Sequence, residues 1–222
     1  MAIITTFPTK APALALTPTQ FSQQHFDLFN NQLRVYFNTI DAFTATLGTS
    51  AGGSALSFPH IAASDSTDQI ATGDDTPTVI NFNTLDSGLG WTLNAPGSAT
   101  AEYSGIYTIR YSLQFANTAN AIHEAVVWLK VNNVDLANSA TAFSVPSRKS
   151  AGVPRYVAGY SEVTFEINAG DEIELYWATD LAGNPTTPAD GVYIYHDIAQ
   201  TVPYARPAIP SAIGSITFVS AL

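Results

Sequence analysis

Four histidines, His25, His60, His123 and His196, are the side chains in this 222-residue chain best suited to proton transfer or metal ligation near neutral pH. A metal centre on a β scaffold would want two imidazoles close together plus a carboxylate, usually as His-x-His, and no such spacing occurs. His123-Glu124 precedes an apolar run and His196-Asp197 follows one, while His25 falls in a helical segment at a solvent or rim position. Asp65, Asp68, Asp74 and Asp75 form a loose acidic cluster without EF-hand or repeat spacing, so a solvated loop is expected there rather than a calcium site. Glu162, Glu166, Glu172 and Glu174 alternate with apolar residues, as on the solvent face of a half-buried strand. A glycosidase pair need not be close in the chain, but nothing in the spacing singles one out. There is no Gly-x-Ser-x-Gly elbow. With no cysteine, disulfides, thiolate catalysis and Cys-based zinc sites are all excluded. The expectation is no catalytic, cofactor-binding or metal-ligating residues, and no enzyme.

The side chains left for recognition are aromatic. Ten Tyr, twelve Phe and three Trp are present, and exposed Tyr or Trp can form sugar-binding platforms. Trp128 and Trp177 alternate with apolar neighbours and are expected in the core, whereas Trp91, in Gly88-Leu-Gly-Trp, is uncommitted. Eighteen acidic and eight basic residues give a net charge of −10, which repels phosphate backbones and anionic lipid surfaces. Neither nucleic acid nor membrane is an expected partner. Arg148, Lys149 and Arg155 are too few for a phosphate track and are expected in a solvated loop. Only 12% of residues are charged against 46% apolar, so part of the surface is expected to be covered by other chains. No run of about 18 apolar residues occurs, and Met1–Pro8 lacks a basic n-region and a long apolar stretch; a soluble chain without a secretory signal is expected.

Four segments must position these groups. Residues 1–16 are expected to be an extended docking arm, because Pro8 and Pro12 interrupt any helix while Ile3, Ile4, Phe7, Leu14 and Leu16 remain available for a partner's groove. Residues 17–48 are expected to be a helical stalk, opened by Thr17-Pro18-Thr19-Gln20 and closed by Gly48. Within it Phe26, Leu33, Ile40 and Leu47 recur every seven residues, as do Phe29, Tyr36 and Phe43 at an offset of three. These are a and d positions of a coiled-coil seam, here read as a trimer interface. A helix packed on its own domain drifts only about 20° per heptad, so packing between chains and packing within the chain both satisfy the pattern. Residues 49–77 are expected to be a Gly-, Ser- and Thr-rich bridge, within which Leu56–Ile61 could start a first strand.

Residues 78–222 alternate in period two. Tyr107, Ile109, Tyr111, Leu113 and Phe115 share one face, Val163, Phe165 and Ile167 another, and Ile173, Leu175 and Trp177 a third. Asn132-Asn133 tolerates positive φ between Ala125–Val131 and Val134–Leu136, a plausible two-residue hairpin. About eight to ten short strands without intervening helices mean an antiparallel sandwich or barrel.

The segments Tyr103–Ile109, Val131–Val134, Val163–Ile173 and Pro210–Thr217 together resemble the TNF/C1q-type jelly roll, with Asn132-Asn133 where that family often has Asn-Gly. The segment Asn31–Asn38 resembles the stalk of tailed-phage virion structural proteins. The fold class expected is mainly β, an antiparallel jelly-roll sandwich preceded by one long N-terminal helix. The resemblance implies a homotrimeric capsid decoration (cement) protein on the outer surface of a virion, whose partner is the major capsid protein or another virion protein. The alternative it implies is a fibre or tail adsorption protein whose knob binds a host receptor or glycan.

Overall fold

The computed structural model describes residues 13–14, 19–20, 22–47, 58–186 and 190–222. The chain divides into two compact units, residues 1–58 and 59–222. In the first unit a single helix, α1 (Gln23–Leu47), runs for 25 residues, about 37 Å at 1.5 Å per residue. It opens six residues later than the sequence predicts. Ser22 is the cap: its Oγ accepts from the backbone N–H of His25 at 3.3 Å and its carbonyl from Phe26 at 3.1 Å. Thr19 and Gln20 lie in a bend before the helix, while Thr17 and Pro18 fall outside the described residues. The C-terminal boundary at Leu47 adjoins Gly48, which is itself outside the described residues.

The second unit is an antiparallel two-sheet sandwich. It begins at Pro59, not at residue 78, because β1 (His60–Asp65) lies inside the segment read from sequence as a bridge. The further strands are β2 (Thr78–Val79), β3 (Thr84–Leu89), β4 (Trp91–Asn94), β5 (Ser98–Ala101), β6 (Gly105–Asn117), β7 (His123–Val131) and β8 (Val134–Asp135). They are followed by β9 (Thr141–Val145), β10 (Arg155–Ile167), β11 (Glu172–Thr179), β12 (Val192–Ile194) and β13 (Ala212–Ser220). One sheet has the order β10-β6-β13-β1-β3 with β12 also on β6; the other has β4-β5-β11-β7-β8, with β2 on β11 and β9 on β7. The first long strand therefore lies beside the last, His60 opposite Thr217, and β5 beside β11, Ala99 opposite Ile173. Successive strands cross repeatedly between the sheets, which is the winding of a jelly roll.

Alternation explains the packing. Tyr107, Ile109, Tyr111, Leu113 and Phe115 of β6 are all buried and face Ile173, Leu175 and Trp177 of β11 and Val127 and Leu129 of β7 across the sandwich. Gly159 in β10 makes room for this layer: a Cβ there would lie 2.7 Å from the Phe115 ring and 3.1 Å from that of Phe143. The β7–β8 turn has φ of 51° at Asn132 and 65° at Asn133, the two positive values of a type I′ hairpin. Asparagine reaches this region more readily than other Cβ-bearing residues, and the Asn132 amide is further held across the sheet, donating to Asp171 at 2.8 Å and accepting from the Glu172 N–H at 2.9 Å.

A buried polar clasp ties the end of β1 to the start of β13. Asp65, only 1% exposed, accepts from the Thr67 backbone N–H at 2.8 Å and from the Ser211 hydroxyl at 3.3 Å. Gln69 donates to the Asn81 carbonyl at 3.1 Å and accepts the Asn81 N–H at 2.8 Å. Asp65 is thus a strut, not part of a solvated acidic loop.

Candidate functional site

The residues expected at a trimer seam lie on α1, where helical geometry alone brings them into a stripe. Phe29, Leu33, Tyr36, Ile40 and Phe43 are each part-buried, while Phe26 at the head of the row is 55% exposed. Leu47 is the last residue of the helix. The seam does not exhaust the apolar surface. Leu28 and Val35, 58% and 55% exposed, are themselves seven residues apart at the c position, and Phe37 at e is also 55% exposed. At 100° per residue Leu28 and Val35 lie roughly 100° or more around the helix from the centre of the a/d row. This second stripe was legible as Leu28, Val35 and Ala42, but the stronger a/d pattern masked it. Of the docking arm, Leu14 is exposed; Ile3, Ile4, Phe7 and Leu16 lie outside the described residues.

The ionisable groups are dispersed rather than gathered. His60 contacts the Ser87 hydroxyl at 3.1 Å, and His123 Nδ1 lies 3.0 Å from Asp180. Asp68 accepts from the His196 backbone and Asp74 from that of Ala182, so both act as loop ties. Among the described residues no three His, Asp or Glu side chains converge in a metal-binding arrangement, and no helix is long and apolar enough to cross a membrane. Glu162 and Glu166 stand on β10 in one sheet, Glu172 and Glu174 on β11 in the other, so the two pairs face outward on opposite sides of the sandwich. Glu162 pairs with Arg110 at 2.7 Å. Arg148 is not merely solvated: it donates to the Thr118 carbonyl and pairs with Asp190, both at 3.2 Å.

Tyr156 and Tyr195 stack with centroids 4.5 Å apart on the outer side of the first sheet, next to Tyr193. Burial pushes the Tyr193 hydroxyl up to about 12, with Tyr156 and Asp68 adding to it. Burial also raises Tyr195, whose hydrogen bond to Asp197 acts in the same direction. Asp197 is in turn held by Arg206 and Gln200, so this cluster anchors the connection between β12 and β13.

The second sheet carries the main departure from the sequence reading. Trp177 is fully buried and Trp91 6% exposed, but Trp128 is not core. It lies one position out of phase with Val127 and Leu129, on the outer face of β7, directly opposite Tyr176 of β11. Glu124 and Lys130 share the parity of Trp128 and mark the outer face, a signal that its apolar neighbours Val127 and Leu129 overshadow. Trp128 Nε1 donates to Asp135 at 2.8 Å, and the Trp128 and Tyr176 rings are 6.1 Å apart at 32°. Lys130 lies 4.4 Å over the Tyr176 ring and 3.6 Å from Asp135. Beside it, burial and then the neighbouring Glu172 push the Glu174 carboxyl up, with Lys130 pulling the other way.

No family model matches the sequence, and no curated protein matches it. Among solved structures the Eiger TNF of S. frugiperda is similar, at 14% identity and a TM-score of 0.44, over 74% of this chain and 96% of that one.

Proposed function

We propose that the chain is a homotrimeric capsid decoration protein, in which three copies of α1 form a neck, the β sandwich faces solvent and the N-terminal segment meets the coat protein. The observation that carries this reading is the surplus of apolar surface on α1. A seam of Phe26, Phe29, Leu33, Tyr36, Ile40, Phe43 and Leu47 accounts for one stripe; exposed Leu28 and Val35 on the flank call for a second surface. A helix that meets both its own copies and a foreign shell needs two such stripes. The net charge of −10 suits a face turned to water and away from packaged DNA. The mechanism is mechanical: each bound trimer bridges coat subunits, so opening the shell must also break the trimer's contacts, and the intact shell gains the binding free energy.

The test is co-sedimentation of the purified full-length protein with stripped capsids of the phage that encodes it. Saturable binding that raises the temperature of shell rupture is expected. Leu28→Asp with Val35→Asp is expected to abolish binding while the protein stays trimeric. Failure of the wild-type protein to co-sediment would overturn the decoration reading in favour of adsorption.

A further inference from the structure

We propose that Trp128 is the floor of a binding site for a neutral saccharide on the outer face of the second sheet, with Asp135, Glu174 and Lys130 as its polar rim. The residues of the site stand on β7, β8 and β11. Three features carry the proposal. The first is the availability of the indole. Lys130 already covers the Tyr176 ring at 4.4 Å, so of the two cross-strand aromatics Trp128 is the one left to a ligand. The second is its rigidity. The 2.8 Å bond from Nε1 to Asp135 and the adjacent Tyr176 fix the plane of the ring, so little side-chain freedom is lost on binding. The third is the surrounding relief and charge. The next row on the same face is Val126, Ala178 and Ala142, three short side chains that leave room beside the indole.

Sugar chemistry fits this arrangement. A pyranose presents one face of C–H groups that stacks on an aromatic ring, and a perimeter of hydroxyls that donate well to carboxylates. Asp135 and Glu174 supply acceptors, and Lys130 a donor already oriented by Asp135 at 3.6 Å. A sialic or uronic acid would meet two carboxylates here on a chain of net charge −10, so the ligand is uncharged. A purely structural Trp128–Tyr176 pair would stabilise the sheet but would give no saturable response to sugar.

The fluorescence of this protein reads the site directly, since Trp91 and Trp177 are buried and Trp128 is the tryptophan that meets solvent. Full-length protein would be titrated with maltotriose, triacetylchitotriose and a galactose disaccharide, with sialyllactose as the charged comparison. A saturable emission change with a millimolar dissociation constant is expected for at least one neutral sugar and not for sialyllactose. Trp128→Ala should abolish binding in calorimetry, and Asp135→Asn, which keeps an acceptor for the indole N–H but gives up the charge beside Lys130, should weaken it about tenfold through loss of a charge-assisted bond. The proposal is overturned if no neutral sugar responds at tens of millimolar, if sialyllactose binds equally well, or if Asp135→Asn binds as tightly as wild type.

Discussion

Replacing Leu33 and Ile40 together by Asp tests whether the a/d row of α1 joins chains. Both side chains are already part-buried by their own helix, so trimer formation gains about half the transfer value of a fully buried aliphatic, about 1–1.5 kcal/mol each. Six such side chains meet in a trimer, giving about 6–9 kcal/mol, or about four to six powers of ten in the association constant. Rings of three carboxylates around the axis would add repulsion and a desolvation cost to that loss. Sedimentation velocity over a range of protein concentrations is the assay. The double variant is expected to sediment as a monomer where the wild type is trimeric. Its far-UV helix signal should fall as well, since an isolated 25-residue helix without a packed face is marginal in water. Leu28→Asp with Val35→Asp adds the same charge on the flank and should leave the trimer intact. A Leu33/Ile40 variant that stays trimeric, or a flank variant that dissociates as completely, would refute the seam.

Other outcomes follow from the β sandwich. Asn132→Ala removes the bonds to Asp171 and Glu172 and leaves at φ 51° a residue without the amide that makes this backbone tolerable; a loss of about 2 kcal/mol in urea unfolding is expected. Asp65→Ala removes the acceptor of the Thr67 N–H and leaves the Ser211 hydroxyl only the Asp65 carbonyl at 3.2 Å, and should lower stability by about 1–2 kcal/mol in the same assay. Although burial pushes the Asp171 carboxyl up, hydrogen bonds from the Asn168 backbone and the Asn132 side chain hold it below the usual carboxylate value. Its contribution is therefore complete above the unfolded value of about 4 and is lost as pH falls through the lower folded value. Thermal midpoints should drop on acidification below about pH 4, and less steeply in Asp171→Asn.

The long strands were legible because their inner faces alternate without interruption, as in Tyr107 to Phe115 and Ile173 to Trp177. Less legible were β1, β3 and β5, for physical reasons that differ. His-Ile-Ala-Ala-Ser-Asp and Ser-Ala-Thr-Ala are built from small residues whose burial leaves no hydropathy signal, and β3 is an almost wholly exposed edge strand. The Asn132-Asn133 hairpin was readable because Asn carries its own tolerance of positive φ. The cap of α1 was misplaced because Thr17-Pro18 is the stronger local signature, yet Ser22 stands immediately before the helix, one turn ahead of the periodic run. Trp128 was misassigned for a simpler reason. Val126, Trp128 and Lys130 face out and Val127, Leu129 and Val131 face in; the charge of Lys130 marks the outer set, but the apolar indole between Val127 and Leu129 reads as core. The clasp of Asp65, Gln69 and Ser211 joins residues up to 146 positions apart, which no local pattern announces.

The most direct test of the account is the solution mass of the full-length protein, measured by light scattering coupled to size-exclusion chromatography. Three chains of 23.6 kDa give 70.8 kDa. A mass of about 71 kDa, held on dilution to low micromolar concentration, is the predicted result. A stable species of 23.6 kDa would contradict the trimeric neck, and with it the decoration role built upon it.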